Sequence, residues 1–330
     1  MKSKSLIITH NVHDLKPWDK PDSSWNKAAL STLQADPFCC RTEWQLSFYE
    51  AFSPGRTLYL RESTNSLLAF ARIDNRSPHK LFIPVESLWL FGCPLLGPES
   101  VDLMQETIQE SNRPRFLISG LRPGGRLFRQ LRERFTHQYN FRLYSRGTLC
   151  GASLSGGLDG FLSRRSSNHR RNLNKEMQRA IRKGVYFERY VPTSEKEVDE
   201  IYARIIHVER KSWKGIGQCG MAEQPALSYY YLMLKRLALS RSARIIIAKH
   251  KERDIGFIYG GLSSHIYRGQ QFSFSEDWRK ASIGNLLQLE QIRWLCDEGV
   301  RRYDMGPMMG YKKHWTERKF NIQAWLLEPL

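Results

Sequence analysis

The sequence contains the same order of predicted elements twice. In each copy, a strand hairpin is followed by a third strand, a glycine-containing loop, a helix and a final strand. A shift of 187 positions brings one copy onto the other without a gap, so that Thr57 falls on Arg244 and Gly97 falls on Gly284. The strands are predicted from short apolar runs bounded by turn residues. We therefore predict an internal duplication of one unit that combines strands and helices.

This pattern places the chain in the α/β (α+β) class. With 330 residues, it can hold one large domain or two ordinary ones. The small-residue segment 151–160, GASLSGGLDG, lies between the copies and is predicted to be a connector. We therefore expect two domains, residues 1–155 and residues 156–330.

The glycine loop of the second copy has the features of an anion site. Ser282 is predicted to cap a helix whose apolar residues recur at spacings of three and four and which ends at Gly299. The free amides and the dipole of a helix start favour an anion. The alternative is an ordinary connection with surface cations. The residues predicted to contact the anion are Arg279, Lys280, Ser282, Ile283, Gly284 and Asn285.

The first copy lacks these features. Pro98 and Glu99 follow Gly97. The proline removes one amide donor, and the glutamate places a carboxylate where an anion would lie. The first copy is therefore predicted to be structural, and the second to be competent for an anion.

The composition limits the class of partner and the compartment. A net charge of +18 and a pI near 9.8 predict attraction to polyanions. No apolar run approaches the roughly 18 residues of a membrane span, and the N-terminus lacks the apolar core of a signal peptide. The six cysteines show no metal-binding spacing, so we expect reduced thiols, no metal site and a cytoplasmic protein.

Residues 161–184 predict a basic amphipathic helix. One side has the apolar residues Leu173, Met177, Ala180 and Ile181. The other faces have few acids to offset the cations, which favours an anionic partner over a merely solvated surface. That partner could be a phosphorylated cofactor, a phosphorylated acceptor or RNA. The cations are Arg164, Arg165, Arg170, Arg171, Lys175, Arg179, Arg182 and Lys183.

Two carboxylates are candidates for general acid or base chemistry on position alone. Glu209 falls on the apolar stripe of a helix that begins after Ser194, so it faces inward. A buried glutamate of this kind is either a base or a structural partner of a cation. Glu276 lies at the end of the strand that precedes the glycine loop.

Five short motifs, taken together, resemble the CelD/BcsL-like branch of the GNAT acyltransferase superfamily. The resemblance covers about residues 160–316, and the N-terminal half resembles the more divergent first domain of such proteins and of the related Fem aminoacyltransferases. The resemblance implies two tandem GNAT-like domains, the first degenerate, each with a mixed, mostly antiparallel twisted sheet flanked by helices. The motifs are Arg170-Arg171-Asn172-Leu173, Ser212-Trp213-Lys214-Gly215, Ser282-Ile283-Gly284, Tyr303-Asp304-Met305-Gly306 and Tyr311-Lys312-Lys313-His314-Trp315.

The resemblance also implies a reaction. An acyl-CoA pyrophosphate would lie on residues 282–285, its thioester carbonyl would lie near Phe274 and Tyr303, and an amine or hydroxyl acceptor would attack directly. Asp304, Glu209 or Glu276 would orient or deprotonate the acceptor, and Lys312 would neutralise developing negative charge. The implied acceptor site consists of Arg170, Arg171, Trp213, Lys214, Tyr311 and Trp315.

The chain departs from its relatives at two points. Relatives commonly have a proline where this chain has Ile283. They also have a second glycine together with an acidic residue where this chain has Pro307-Met308-Met309. The missing acidic residue leaves the acceptor type open. Two other hypotheses therefore stay open. One is a Fem-like aminoacyltransferase with aminoacyl-tRNA as donor, and the other is a polyanion-binding module without catalysis.

Overall fold

The protein is described by a computed structural model covering residues 4–8, 15–73 and 80–330. These residues form thirteen strands and ten α-helices. The strands are β1 Lys4–Ile8, β2 Thr57–Glu62, β3 Leu67–Ile73, β4 Leu81–Pro84, β5 Leu95–Leu96, β6 Arg115–Leu121, β7 Tyr139–Ser153, β8 Val185–Tyr190, β9 Ala243–His250, β10 Arg253–Ser263, β11 Ile266–Phe274, β12 Arg302–Pro307 and β13 Arg318–Pro329. The helices are α1 Ser24–Ser31, α2 Thr42–Phe52, α3 Ser100–Glu110, α4 Arg126–Phe135, α5 Gly157–Ser163, α6 Ser167–Arg182, α7 Glu195–Arg210, α8 Trp213–Ile216, α9 Ala226–Leu239 and α10 Ile283–Asp297.

The first unit comprises residues 1–148 and 320–330. Its strands follow the order β1, β2, β3, β4, β6, β13 and the first part of β7, with β5 paired to β3. The β4 and β6 pair is parallel, whereas β1 with β2, β2 with β3, β3 with β4 and β6 with β13 are antiparallel. Aromatic rings fill its core, where Phe82 stacks on Phe116 with 5.3 Å between ring centroids.

The second unit comprises residues 149–319. Its strands follow the order β8, β9, β10, β11, β12 and the last part of β7, and β11 with β12 is its parallel pair. Helices α5, α6 and α10 cover one face of the sheet. The side chain of Ile258 of β10 lies on this face, in the core that these helices form. The next residue, Tyr259, points to the opposite face because strand side chains alternate, and there it contacts Tyr230 of α9. Helices α7 and α9 therefore cover that opposite face.

Both units have the order of elements that the internal repeat predicts. In the first, β2, β3 and β4 are antiparallel neighbours, and α3 connects to the parallel β6. In the second, β9, β10 and β11 are antiparallel neighbours, and α10 connects to the parallel β12. The prediction of two related α+β units with mixed, mostly antiparallel sheets is confirmed.

The division of the chain differs from the predicted boundary after residue 155. Segment 151–160 is not a connector, since β7 continues to Ser153 and α5 begins at Gly157. Residues 320–330 belong to the first unit because β13 pairs with β6, with Leu326 opposite Leu117. A sequence pattern shows that a strand exists, but it does not show which distant strand it joins.

Two local expectations were also wrong. The third strand of the first copy is expected over the apolar run 81–91, but it ends at Pro84. After it, the buried Glu86 carboxylate accepts backbone N–H groups from Leu88 and from Phe91 and so holds a loop. Ile181 is 54% exposed, because Leu173, Met177 and Ala180 already fill the buried side of α6.

The described residues contain no cluster of side chains suited to a metal ion. All six cysteines are free thiols. Among the helices of the described ranges, none combines the length and the apolar character that crossing a membrane requires.

Candidate active site

Strands β11 and β12 diverge in the middle of the second sheet. Their pairing ends at Arg268 and Asp304, although β11 continues to Phe274. Close to this point β11 has a β-bulge, since Tyr259 lies opposite Gln271 while Gly260 lies opposite Gly269. Gln270 is therefore the extra residue, which has no opposite residue on β10.

A cavity of about 40 Å³ lies where the strands diverge. Its wall combines the bulged strand, one turn of α10, the end of β12 and the residues that follow it. Both aromatic and amide side chains are exposed to it, so it can accept a small group that is partly polar. Six of the residues that line it are Gln270, Phe272, Gln288, Tyr303, Met305 and Lys312.

Lys312 is the buried cation of this cavity. Its Nζ donates to the carbonyl oxygens of Met305, at 2.5 Å, and Pro307, at 2.7 Å. Burial, with a smaller contribution from the nearby Arg268 cation, lowers the pKa of Lys312 to about 8. An ammonium group has three N–H donors, so one remains for the cavity.

The two predicted aromatic residues flanking Lys312 also line the cavity, but they differ in exposure. Tyr311 is 42% exposed and makes an edge contact with Phe272, with 5.2 Å between centroids. Trp315 is buried, stacks on Phe161 and makes an edge contact with His169. Tyr311 can therefore meet an incoming molecule, whereas Trp315 forms the inner wall.

The predicted acidic residues do not line the cavity. Asp304 is buried on β12, where Oδ2 accepts from Arg302 at 2.9 Å. Glu276 begins the 3₁₀ helix Glu276–Ala281 and pairs with Arg279 at 3.0 Å. Of the four predicted catalytic residues in this described region, Lys312 alone contributes to the cavity wall.

Glu209 is fully buried and lies 3.5 Å from Lys214. Its Oε1 accepts the backbone N–H of Met221 at 3.2 Å. Lys214 extends from α8 to β11, where Nζ donates to the carbonyl oxygen of Phe272 at 3.1 Å. Burial lowers the pKa of Lys214, and the Glu209 carboxylate opposes that shift. Trp213, next to it, is 56% exposed.

The predicted anion loop lies at the start of α10. Ser282 adopts a left-handed backbone with φ of 57° and serves as the N-cap residue, although its side chain caps no amide. Asn285 and Leu286 donate their N–H groups to the Ser282 carbonyl. Ile283 is fully buried, while Asn285, Arg279 and Lys280 are exposed.

Gly284 has a packing role that the sequence did not indicate. A Cβ atom there would lie 3.0 Å from the ring of Phe274 and 3.2 Å from that of Phe272. The glycine lets α10 pack closely against β11.

The cations of the basic segment 161–184, which contains α6, form two groups. Arg164 and Arg165, which precede α6, both pair with Glu317 and so have structural partners. Arg170 is half-buried, and Arg171 is exposed. The remaining exposed cations of α6 and its C-terminal end are Lys175, Arg179, Arg182 and Lys183.

Sequence reasoning missed three residues of this region. Gln270 and Gln271 line the cavity because of the bulge, and Arg268 is a buried cation beside it. Gly306, at φ of 73°, leaves space for Arg268, since a Cβ there would collide with the guanidinium. The pair of glutamines in the middle of this partly buried strand was the one available signal.

Comparison with known proteins identifies the class. Residues 167–313 match the family model described as an acetyltransferase (GNAT) domain. The comparison with curated proteins gave no match. The second unit is therefore built around a GNAT domain, which confirms the predicted superfamily.

Solved structures extend the likeness to the whole chain. The crystal structure of FemX has a TM-score of 0.60 at 10% identity, covering 97% of this chain and 96% of FemX. The C-terminal DUF2156 domain of a protein assigned as lysylphosphatidylglycerol synthetase from Agrobacterium fabrum has a TM-score of 0.57 at 11% identity, covering 92% and 91%. L-PGS from Bacillus licheniformis has a TM-score of 0.53 at 15% identity, covering 89% and 92%. Over nearly its whole length, the chain thus shares its fold with FemX and with these two other structures.

Proposed function

We propose that this protein transfers an acyl group from acyl-CoA to an amine or a hydroxyl group by direct attack. The observation that supports this proposal most directly is the cavity between the diverging strands β11 and β12, which has Lys312 in its wall. The acceptor's nitrogen or oxygen forms a bond to the thioester carbon, the C–S bond breaks, and CoA leaves as the thiol with the proton lost by the acceptor.

The bulge and Lys312 supply the electrostatic part of this proposal. The extra residue Gln270 has no opposite residue on β10, so its backbone amide can polarise the thioester carbonyl. The third N–H of Lys312 would stabilise the negative oxygen of the tetrahedral intermediate. Tyr311 and Trp213, both exposed, would form the acceptor side of the pocket.

Geometry favours electrostatic roles for the acidic residues. Glu209 and Asp304 are buried beside Lys214 and Arg302 respectively, where their charges balance those cations. Glu276 would orient Arg279 at the donor site. The acceptor then needs no enzyme carboxylate if it enters as a neutral amine.

The donor's pyrophosphate would bind at the start of α10. Support comes from the exposed Arg279, Lys280 and Asn285 around the free amides of that helix. The six free thiols support a reducing, cytoplasmic location.

The test is calorimetry and thermal shift with CoA, acetyl-CoA and longer acyl-CoAs. The Arg279→Glu/Lys280→Glu variant should bind acetyl-CoA at least about tenfold more weakly, because two attractive charges become repulsive. The matched control is Arg182→Glu/Lys183→Glu at the end of α6, which changes net charge equally and should bind like the wild type. If no CoA species binds the wild type, the donor is wrong.

A second candidate is aminoacyl transfer from aminoacyl-tRNA. It is favoured by the exposed cations of α6 and by the fold shared with a protein whose name refers to a lysylated lipid. Transfer that is sensitive to RNase and indifferent to acyl-CoA would establish it. RNA binding with a steep salt dependence but no transfer would instead favour a non-catalytic polyanion-binding module.

A further inference from the structure

The end of α7 and the short helix α8 hold β11 from the face opposite α10. Lys214 makes this connection, because its Nζ donates to the carbonyl oxygen of Phe272 at 3.1 Å and to Oε1 of Gln271 at 3.2 Å. These two residues directly follow the bulged Gln270. One cation therefore binds β11 directly beside the bulge, at the two residues where the pairing with Tyr259 and Ile258 of β10 resumes.

Lys214 is itself held by a buried carboxylate. Glu209 has no exposed surface, lies 3.5 Å from Lys214, and accepts N–H from Met221 at 3.2 Å and O–H from Ser212 at 3.4 Å. A Cβ at Gly220 would collide with the Glu209 carboxylate. The backbone is thus shaped around the Glu209 carboxylate, which fixes the position of the ammonium group.

Two further contacts tie β11 and the 3₁₀ helix that follows it to this layer of helices. Gln271 donates from Nε2 to Tyr230 of α9 at 2.6 Å, and the backbone N–H of Glu276 donates to the Lys211 carbonyl at 2.9 Å. On its other side, β11 has already lost its pairing with β12. Around Gln270, β11 is therefore paired on one edge alone, and the bulge interrupts that pairing at one residue, so contacts with the helices add to those that hold its backbone in place.

We propose that Lys214, held by Glu209, is a positioning residue that fixes residues 270–272 of β11 and thereby aims the Gln270 amide into the cavity. The effect on acyl transfer rests on the proposed function, whereas the effect on the strand does not. Lys214 acts through the backbone of β11, so it need not touch the acyl group.

A single substitution at Lys214 or Glu209 would also lower the stability of the fold, because removing one partner leaves the other charge buried and unpaired. Its effect on β11 could then not be separated from this loss of stability. The experiment therefore compares Lys214→Met and Glu209→Gln with the double variant Glu209→Gln/Lys214→Met. The double variant removes both charges at similar volume and should recover most of the melting temperature that each single variant loses. The control is Lys235→Met, which removes a lysine of α9 that is paired with Glu195 at the other end of α7.

The first readout is amide hydrogen exchange in peptides covering residues 269–274. We expect exchange at least about tenfold faster in the double variant than in the wild type or Lys235→Met. The second is thiol release from acetyl-CoA with a primary amine, where kcat should fall at least about tenfold while KM for acetyl-CoA stays within about twofold, because the pyrophosphate site is unchanged.

If residues 269–274 of the double variant exchange their amide hydrogens at the wild-type rate, the proposal is overturned, whatever the activity of the variant. If exchange is faster but kcat is unchanged, Lys214 holds β11 without any effect on acyl transfer, and the catalytic part of the proposal is wrong. If the wild type binds no acyl-CoA, the proposed function fails, and the exchange measurement still decides whether Lys214 holds β11.

Discussion

At the scale of single residues, Lys312 carries most of the proposed chemistry. Two backbone carbonyls orient its ammonium group, and burial lowers its pKa to about 8. It is therefore a cation below about pH 8 and neutral above it. An oxyanion in the transition state would be stabilised by the cation and not by the neutral amine.

We predict that kcat for acyl transfer falls as the pH rises through about 8, because Lys312 then loses its proton. The measurement is thiol release from acetyl-CoA with an acceptor amine whose own pKa lies below 7, so that the acceptor does not titrate. Lys312→Arg should keep activity without that fall, since a guanidinium stays charged. Lys312→Met should lose about a hundredfold at all pH values. A wild-type rate that rises through pH 8 would mean that Lys312 acts as a base instead.

At the scale of elements, the start of α10 serves packing as well as any anion. From the sequence, Gly284 is predicted to be among the residues that contact an anion. In the structure, the space beside its Cα is bounded by the rings of Phe272 and Phe274. Close contact between α10 and β11 therefore requires glycine there, and the two roles are compatible because the amide and the missing Cβ are different parts of the residue.

We predict that Gly284→Ala lowers the free energy of unfolding by about 1 kcal/mol. Overpacking against the two phenylalanine rings costs roughly 1 to 3 kcal/mol, and the better helix propensity of alanine returns up to about 1 kcal/mol. The control is Gly310→Ala, where no atom lies within 4 Å of the new Cβ and the change should be within about 0.5 kcal/mol. Denaturant titration followed by tryptophan fluorescence measures both, and equal stabilities would contradict the packing role.

Local patterns explain which elements were predictable. Helix α7 was evident because Ser194 caps it and its apolar residues repeat with helical spacing. Helix α10 was evident from the same spacing, although the side chain of its N-cap residue Ser282 caps no amide. The bulge at Gln270 and the contact of Lys214 with β11 were not, because each depends on how segments far apart in sequence pair. Lys214 was predicted as part of the acceptor pocket from a motif, and its hydrogen bonds to Gln271 and Phe272 are evident only in the folded structure.

At the scale of the whole molecule, the last strand belongs to the first unit. β13 lies beside β6, and its residues Ala324 and Leu327 are part of the core formed by residues before 149. The first unit therefore includes two distant parts of the chain, although the internal repeat is continuous in sequence. A boundary drawn from the repeat alone assigns this strand to the wrong unit.

We predict that Leu327→Ala destabilises the first unit by about 2 to 5 kcal/mol, the usual cost of a cavity at a fully buried leucine. Leu327 lies opposite Phe116, so amide protection should fall first in β6. Hydrogen exchange is the suitable measurement because a chain with two units need not unfold in one step. Leu330→Ala, at a residue that is 72% exposed, should leave protection unchanged. Loss of protection confined to residues 149–319 would show that β13 stabilises the second unit, because a cavity weakens first the core that contains it.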